Sequence, residues 1–356
     1  MNKLRFALVG CGRIARKHFE SLAALDKAQL VAVCDTVAER ARIIGEKLRV
    51  PYYDDYNDML SNEKIDVVNI LTPSGFHAKH CVDIVTKYKK HIVCEKPMAL
   101  TLEDADKMIN ACKENKVKLF IVKQNRYNLP VIKLREALEE GRFGKLVLGT
   151  VRVRWSRDQK YYDQDSWRGT WALDGGVFSN QASHHIDLLE WMMGRPVEVS
   201  AMTATRLVDI EAEDTGIANI RFDSGALGVV EATTATRPKD LEGSVSILGE
   251  KGVVEIGGFA MNEIKVWQFI DQRPSDLEVM EKYRENPPNI YGFGHVRYLE
   301  HVIDCIINNN RALVDGLEGK KSLELITAMY ESAETGKTVK VGTPAKKCRL
   351  GGKNGK

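Results

Sequence analysis

The 356-residue sequence contains no apolar run approaching the ~18 residues that a membrane-spanning helix needs. The apolar stretch that begins at Phe6 is also too short for the central segment of a signal peptide. Cysteine is infrequent, and its seven residues form neither a C-x-x-C pair nor a Cys/His spacing typical of zinc sites. We therefore expect no membrane partner, no disulfide framework and no metal site, in a protein of the reducing cytoplasm.

The sequence also has little net charge. Its 52 basic and 49 acidic residues give +3 with neutral histidines, which provides no overall field for nucleic acid. Basic residues are concentrated in two segments: eleven, against six acidic residues, lie between Lys123 and Arg168, and five lie in residues 343–356. We expect the first segment to be a basic region suited to a small polyanion, or else an ordinary solvated strand face. We expect the second to be a basic disordered tail.

The length and the patterning predict two domains before that tail. Over residues 1–125, short apolar runs alternate with stretches of helical period, which is typical of an α/β Rossmann domain with a doubly wound parallel sheet. The predicted strands are Phe6–Val9, Leu30–Cys34, Val67–Leu71, His91–Cys94 and Leu119–Val122. The predicted helices lie near residues 13–25, 37–48, 57–61, 76–87 and 102–115.

Residues 126–342 are predicted to form an α+β domain with a large, mostly antiparallel open sheet, because β-rich segments there are separated by hairpin turn signals. The predicted strands are Leu146–Trp155, Glu198–Thr205, Gly216–Phe222, Ala226–Ala232, Ser244–Leu248, Val253–Ile256 and Ile264–Phe269. The predicted helices lie near residues 130–140, 177–193, 292–310 and 319–335. Helices on one sheet face leave the other face available to a partner subunit.

A glycine-rich motif follows the first predicted strand. Residues 10–15 read Gly-Cys-Gly-Arg-Ile-Ala, which fits G-x-G-x-x-G/A, and Asp35 ends the second strand twenty residues beyond Ala15. This context predicts a dinucleotide site with the phosphates on the helix N-terminus, although a structural glycine turn is the alternative. Asp35 is followed by Thr36 rather than arginine, so a 2′-phosphate would meet a carboxylate. NAD is therefore favoured over NADP.

Two further segments follow strand ends, where ligands bind in open α/β sheets. One contains Thr72 and Pro73, and the other reads Glu95-Lys96-Pro97. A simple turn and a solvated ion pair are the structural alternatives.

A third segment places Asn180, His184 and Asp187 at helical spacing after Gly175 and Gly176. Metal binding by His184 with its neighbours is a weak possibility, because no third and fourth ligand appears at a suitable spacing. The residues alone leave open whether His184 is a catalytic group or a buried structural histidine.

Together these motifs resemble the glucose–fructose oxidoreductase / inositol dehydrogenase / MocA (Gfo/Idh/MocA) family from residue 4 to about residue 340. The Glu-Lys-Pro and His-x-x-Asp motifs in this order are more specific than the glycine motif. The resemblance implies an oxidoreductase with NAD as cofactor. The cofactor-binding residues it implies are Gly10, Gly12, Arg13, Ile14, Asp35, Thr72, Pro73, His77, Glu95, Lys96, Gln124, Trp167 and Arg168.

Within that family the sequence resembles the WlbA-type enzymes. The stretches that carry this closer resemblance are Cys94–Met98, Val122–Arg126, Trp167–Thr170, Ser179–His184 and Glu211–Thr215. The resemblance implies NAD-dependent oxidation of the 3-hydroxyl of UDP-N-acetylglucosaminuronic acid, on the way to diacetamido uronic acids of surface polysaccharide such as O-antigen. It also implies a homotetramer.

The same resemblance implies that Lys96 and His184 are the catalytic residues, and it does not decide which is the base. Many members of the family have aspartate where this sequence has Asn180, and an amide cannot accept the proton. Tyr161 and Tyr162 are candidates for stacking on a uracil, or else for packing. The implied substrate-binding residues are Lys96, Arg126, Arg157, Tyr161, Asn180, Gln181 and His184.

Three alternative functions stay open at this point. The first is a dehydrogenase of inositol or a simple sugar, which needs no basic cleft. The second is an NAD-dependent glycosidase of the same family. The third is a cofactor-sensing binding protein, against which the presence of Lys96 and His184 argues.

Overall fold

The computed structural model describes residues 3–352 except residues 259, 286–291 and 344. The chain divides into two compact units, of which one comprises Met1–Gln124 and His295–Lys320 and the other Asn125–Gly294 and Lys321–Lys356. The first division falls beside the predicted boundary at residue 125. The grouping differs from the predicted single second domain over 126–342, because residues 295–320 belong to the first compact unit.

The first unit contains a parallel six-stranded sheet with the order β3-β2-β1-β4-β5-β6. Its strands are β1 (Leu4–Val9), β2 (Ala28–Cys34), β3 (Tyr52–Tyr53), β4 (Val67–Ile70), β5 (His91–Cys94) and β6 (Leu119–Ile121). The helices between them are α1 (Ala15–Ala23), α2 (Ala38–Leu48), α3 (Tyr56–Asn62), α4 (His77–Tyr88) and α5 (Leu102–Glu114). The predicted Rossmann domain is confirmed, and the two-residue β3 is the strand that the apolar pattern missed.

The central strands of this sheet are buried on both faces. Every residue of β4 is buried, as expected for a parallel strand covered by helices on each side. The returning segment explains the division into units: the Ile121 amide donates to the Val314 carbonyl at 3.2 Å, and Gly319 packs against the Ile121 side chain. These contacts extend the sheet edge beyond β6, and no local pattern in residues 295–320 predicts them.

The second unit contains an eight-stranded sheet with the order β13-β12-β11-β7-β10-β9-β8-β14. Its strands are β7 (Leu146–Arg154), β8 (Pro196–Ala204), β9 (Thr215–Phe222), β10 (Leu227–Thr233), β11 (Glu242–Gly249), β12 (Gly252–Gly257), β13 (Glu263–Phe269) and β14 (Val339–Lys340). β10 pairs with β7 in parallel, and the other neighbouring pairs are antiparallel. The predicted large, mostly antiparallel sheet is confirmed.

Six further helices complete the described chain. They are α6 (Leu129–Glu139), α7 (Gln159–Tyr162), α8 (Ser183–Met193), α9 (Val279–Lys282), α10 (Gly294–Ile307) and α11 (Gly316–Thr335). α8 covers one face of the sheet, where a Cβ at Gly149 would lie 2.7 Å from Leu189. The opposite face exposes Met202, Ile217 and Leu227. No helix in the described part of the chain is long and apolar enough to cross a membrane.

The prediction of a disordered tail is wrong for residues 345–352. Leu350 is 2% exposed, and the Gly351 amide donates to the Trp171 carbonyl at 2.8 Å. Arg349 lies with its Cζ 4.3 Å from the centroid of the Trp171 ring. A single leucine in a polar run has no periodicity, so its docking could not be predicted locally. Residue 344 and residues 353–356 of the predicted tail lie outside the described chain.

Candidate active site

The glycine motif forms a tight turn between β1 and α1. Gly10 has φ +106°, and a Cβ there would lie 2.7 Å from the carbonyl carbon and oxygen of Leu71. Among the described residues, no atom lies within 4 Å of the position that a Cβ would take at Gly12. The backbone at Gly12 is therefore open to a ligand, and the N-terminus of α1 follows at once. Arg13 is exposed and Ile14 half-buried beside it.

Asp35 lies at the end of β2 beside this turn. Its Oδ2 accepts from the Cys11 amide at 2.7 Å, and its Oδ1 accepts from the Val37 amide at 2.9 Å. The half-buried carboxylate is thus held in place and retains lone pairs for ribose hydroxyl groups. An open glycine backbone, a helix N-terminus and a fixed acceptor together fit a dinucleotide.

His77 connects the two predicted strand-end segments. Its Nε2 lies 2.8 Å from the Thr72 carbonyl oxygen, and its Nδ1 lies 2.8 Å from that of Pro97. The ring is 1% exposed, and burial lowers the pKa of His77. His77, predicted to bind cofactor, therefore lies between the two turns inside the unit, with each ring nitrogen facing a backbone carbonyl oxygen. Thr72 and Pro73 are half-buried at the sheet edge above it.

Glu95 is buried directly beneath Lys96. Its Oε1 accepts from His18 Nε2 at 2.9 Å, and its Oε2 accepts from the Lys96 amide at 3.0 Å. Asn69 Nδ2 donates to His18 Nδ1 at 2.9 Å, so His18 carries its proton on Nε2. Glu95 was predicted to bind the cofactor, but its side chain is only 6% exposed. The structure instead gives it a supporting role, through its contact with the Lys96 amide.

His295 also contributes to this cluster, with its Nε2 3.8 Å from Glu95 Oε1. Burial opposes ionisation of Glu95, but the hydrogen bond from His18 and the proximity of His295 hold its pKa well below the ordinary value. Potential metal-ligating atoms of these three residues lie within 4.8 Å of one another. The hydrogen bond from His18 accounts for the His18–Glu95 distance in this cluster. Neither histidine was singled out from the sequence. The position of His18 on the predicted first helix is the one local signal that could have pointed to this cluster.

Gln124 follows β6 in a short 3₁₀ turn over Gln124–Tyr127 and is 5% exposed. Lys96 is half-buried in the turn after β5. Both side chains belong to the first unit, as do the glycine motif and Asp35. The predicted cofactor residues other than Trp167 and Arg168 are therefore carried by one compact unit.

In the second unit, the predicted helix over residues 177–193 is two segments. A π-helical turn covers Val177–Gln181, and α8 begins at Ser183. Asn180 thus lies on the π turn, and His184 lies in the first turn of α8, where it is 9% exposed. Single π-helical turns are common at functional sites. This interruption breaks the helical spacing predicted between Asn180 and the other two residues, whereas His184 and Asp187 lie together on α8 as predicted.

The π turn brings several predicted residues together. Asn180 Nδ2 donates to Asp174 Oδ1, and Asn180 Oδ1 accepts from Gln181 Nε2 at 3.0 Å. Gln181 Nε2 also donates to the Tyr161 hydroxyl at 2.9 Å. Arg168 Nη1 donates to the same hydroxyl at 2.8 Å. A continuous polar chain therefore links Asn180, Gln181, Tyr161 and Arg168.

Two aromatic residues flank this chain in different ways. The Arg168 guanidinium lies 4.6 Å from the centroid of the half-buried Trp167 ring and 4.7 Å from that of Tyr161. Tyr162 is buried and its hydroxyl bonds to Thr234, so it serves packing. Tyr161 is half-buried and remains the candidate for contact with a ligand ring.

Arg126 does not have the open position expected of a substrate ligand. Its Nε and Nη2 donate to the two oxygens of Asp187, each at 2.8 Å, and both side chains are 2% exposed. The guanidinium also stacks over Trp191 at 4.7 Å. A fork of donors facing a carboxylate is the arrangement arginine favours inside proteins. Arg126 therefore holds α8 through Asp187, a partner 61 residues away in the sequence.

His185, the neighbour of His184, is buried against the edge of Trp155, with ring centroids 5.7 Å apart. Burial lowers the pKa of His185 to about 4. The imidazole is thus neutral near neutral pH and packs within the unit. It offers no support for the weak possibility of a metal site beside His184.

The predicted basic region between Lys123 and Arg168 is largely neutralised. Arg152 pairs with Glu242 at 3.0 Å, Arg154 with Glu231 at 2.6 Å, and Arg157 with Asp240 at 3.0 Å. These acidic partners come from later strands and loops, so counting charge along the sequence overstated the local excess. A cavity of about 300 Å³ next to Arg168 is lined by four acidic residues: Asp163, Asp165, Asp209 and Glu211. That cavity does not suit an anion.

Comparisons with known proteins match both units. Residues 4–123 match the Gfo/Idh/MocA model described as an oxidoreductase family NAD-binding Rossmann fold. Residues 135–341 match the model of the C-terminal alpha/beta domain of the same family. Among curated proteins, myo-inositol 2-dehydrogenase of Thermotoga maritima is 30% identical over 350 residues, which cover 95% of this chain and 98% of that protein.

Two solved structures are more similar in sequence. The WlbA dehydrogenase from Bordetella pertussis, in complex with NADH and UDP-GlcNAcA, is 42% identical with a TM-score of 0.91, over 96% of this chain and 99% of that one. The WlbA dehydrogenase from Chromobacterium violaceum, with the same ligands, is 43% identical with a TM-score of 0.90, over 96% of each chain. The chain belongs to the Gfo/Idh/MocA oxidoreductase family, and it is an NAD-dependent sugar dehydrogenase.

Proposed function

We propose that the protein oxidises the 3-hydroxyl of UDP-N-acetylglucosaminuronic acid to the 3-keto sugar with NAD. The observation that carries this proposal is the 42–43% identity to two WlbA dehydrogenases solved with NADH and UDP-GlcNAcA. The myo-inositol and D-apiose dehydrogenases are 30% and 26% identical over a similar length. The biosynthetic role is the supply of diacetamido uronic acids for surface polysaccharide in the cytoplasm.

The first unit supplies the cofactor residues in this proposal. The turn at Gly10 and Gly12 receives the pyrophosphate, and Asp35 accepts hydrogen bonds from the adenosine ribose. Thr72, Pro73 and Lys96 contact the nicotinamide half, while His77 lies between those turns and Glu95 holds the Lys96 amide. NAD held by these residues would supply the acceptor for the hydride that leaves the carbinol carbon.

Lys96 and His184 carry the proton chemistry in this proposal. Oxidation of a secondary alcohol requires a base for the hydroxyl proton and a donor for the developing alkoxide. An imidazole takes a proton near neutral pH, and the Lys96 ammonium supplies positive charge. Asn180 cannot act as the base, because it is an amide. Its contacts to Asp174 and Gln181 support a role in hydrogen bonding to the sugar.

Tyr161, Gln181 and Arg157 complete the proposed substrate contacts, with Trp167 and Arg168 at the cofactor. Arg126 acts indirectly, through Asp187 and α8. We further propose that the open sheet face, which exposes Met202, Ile217 and Leu227, is covered in a homotetramer.

The test is to incubate the protein with UDP-N-acetylglucosaminuronic acid and NAD, and to follow NADH absorbance and the product mass. A parallel assay with an added 2-oxo acid detects turnover in which NADH is reoxidised without release. We expect a product lighter by two hydrogen atoms. Oxidation of myo-inositol or a simple sugar with no response to the UDP-sugar would overturn the proposal. So would cleavage of a glycoside without net NADH.

A further inference from the structure

A buried glutamate and a buried tyrosine meet at the start of the π turn. Glu213 is 3% exposed and Tyr330 is 1% exposed, and the Tyr330 hydroxyl donates to Glu213 Oε1 at 2.9 Å. Glu213 precedes β9 by two residues, and Tyr330 lies on α11. The Tyr330 ring packs edge-on against Trp171 and Phe178. Neither residue has been given a role in the proposed reaction above.

The pair satisfies the free amides of the π turn. The first amides of any helix have no carbonyl partner within it. Here the Gly176 and Ser179 amides each donate to the Tyr330 hydroxyl at 3.2 Å. The Phe178 amide donates to Glu213 Oε1, and the Val177 amide donates to the Glu213 carbonyl, each at 2.9 Å. Two residues thus bind four successive amides.

The fit at Gly176 is tight. A Cβ at that position would collide with Glu213 Oε2 and with the Glu213 carbonyl oxygen. Oε2 itself has no hydrogen-bond partner in the described part of the chain, although the atom is buried. The carboxyl group therefore lies in close contact with the backbone of the turn, and only one of its oxygens accepts hydrogen bonds. This geometry leaves little freedom for the backbone of residues 176–179.

We propose that Glu213 and Tyr330 are positioning residues, which hold the π turn so that Asn180 and Gln181 present their amide groups to the sugar. The Asn180 amide closes the turn by donating to the Gly176 carbonyl at 2.9 Å. Asn180 then fixes Gln181, which reaches Tyr161. Displacement of the Gly176 backbone would therefore move the whole polar chain that binds the substrate.

The surroundings of Glu213 make its contacts with the π turn sensitive to pH. Burial raises the pKa of Glu213 to about 7, and the Asp174 carboxylate adds to the rise. The other titratable groups facing it are Tyr330 and Cys348. Because the pKa of Glu213 is raised in the folded turn, protonation of its carboxyl group stabilises that arrangement. The turn is thus held more firmly below pH 7 than above it.

The direct test is hydrogen exchange of the amides of residues 176–179 in the free protein. We expect Tyr330→Phe to raise their exchange about tenfold, since it removes the acceptor of two amides. In the wild type, the protection factors fall as the pH rises through 7, and in Glu213→Gln they stay flat. Glu300→Gln and Tyr52→Phe, at exposed positions, are the matched controls and keep wild-type protection.

Kinetics give the second readout. We expect Tyr330→Phe and Glu213→Ala to raise the KM for the sugar about tenfold or more, with the KM for NAD unchanged. Glu213→Gln restores most of the loss, because it keeps an acceptor for the Phe178 amide. Equal changes in both KM values, or wild-type exchange in Tyr330→Phe, would overturn the proposal.

This inference rests on the proposed function only for its kinetic readout. If the wild type fails to oxidise UDP-N-acetylglucosaminuronic acid, the proposed function fails while the exchange result still stands. If the wild type is active and both variants match it in exchange and in KM, the positioning role fails and the proposed function survives.

Discussion

Two buried glutamates, one in each compact unit, have opposite electrostatic surroundings. Glu95 in the first unit accepts from His18 and lies beside His295, and its pKa is held well below the ordinary value in spite of burial. Glu213 in the second unit faces Tyr330 and Asp174, and burial raises its pKa to about 7. Equal burial therefore produces opposite shifts, and the identity of the neighbours decides the sign.

The two glutamates nevertheless do the same structural work. Each uses its carboxyl group to hold the backbone that carries a proposed functional residue: Glu95 bonds the Lys96 amide, and Glu213 bonds the Phe178 amide in the turn that carries Asn180. The first supports a charged side chain with a constant negative charge. The second supports a neutral amide and can change its own charge near neutral pH.

The two regions are expected to differ most in the loss of turnover that follows replacement of the residue each glutamate supports. Lys96→Ala is expected to lower turnover by about 10²–10⁴-fold, because it removes a group of the proton chemistry. His184→Ala should have an effect of similar size. Asn180→Ala removes hydrogen bonding alone, and we expect a loss of about tenfold. Steady-state kinetics measure all three.

Lys113→Ala, an exposed change on α5, is the control for Lys96→Ala. NADH binding by fluorescence shows whether the cofactor site is intact. If Lys96→Ala and His184→Ala both keep wild-type turnover, the proposed proton chemistry is wrong.

A third buried carboxylate, Asp187, sharpens the comparison because its partner is a permanent cation. Arg126→Ala removes the guanidinium that pairs with the buried Asp187 carboxylate, and we expect the free energy of unfolding to fall by about 3–5 kcal/mol. Arg221→Ala breaks an exposed pair with Glu198 and should cost about 1 kcal/mol or less. Urea denaturation of both variants measures the difference. Equal losses would show that burial of the Arg126–Asp187 pair does not increase its contribution to the free energy of unfolding.

The pH dependence of stability separates Glu213 from Glu95. Because the folded pKa of Glu213 is raised, its contribution is present below the unfolded value near 4.5 and is lost as the pH rises through 7. Wild-type protein should therefore lose on the order of 3 kcal/mol between pH 5 and pH 8 relative to Glu213→Gln. Denaturation at several pH values measures this slope. If Glu213→Gln shows the same dependence of stability on pH as the wild type, Glu213 is not the source of that dependence.

Glu95 should show a smaller effect of pH on stability, with the opposite sign. Its folded pKa is lowered, so its contribution is present above the unfolded value and is lost as the pH falls through the acid range. Glu95→Gln is expected to cost about 1–3 kcal/mol at pH 7 and progressively less below pH 4.5. The same denaturation series tests it. A cost that grows as the pH falls would contradict the assignment of an ionised Glu95.

Local patterns were sufficient to predict much of the fold and part of the site. The predicted strands of both sheets match the observed ones, because apolar period and turn signals are properties of neighbouring residues. The glycine turn, Asp35 and the segments at Thr72 and Lys96 follow strand ends directly. Their positions come from the topology of a parallel sheet.

The supporting partners could not be predicted in this way. His18 and Glu95 are 77 residues apart, and Tyr330 and Glu213 are 117 residues apart. No periodicity relates such residues, and only the folded chain brings them together. The same limit explains the neutralised basic region, since the partners of Arg152 and Arg154 lie on later strands. The π turn was missed because its amides are satisfied by these distant residues.

The central claim, oxidation at carbon 3 of the UDP-sugar acid, is tested most directly by an isotope label. UDP-N-acetylglucosaminuronic acid with deuterium at carbon 3 is incubated with the protein and NAD, and both products are analysed by mass spectrometry. The account predicts that the deuterium leaves the sugar and appears in the reduced nicotinamide, with a primary isotope effect where chemistry limits the rate. An oxidised sugar that retains its deuterium, or no oxidation of this sugar beside oxidation of myo-inositol, would contradict it.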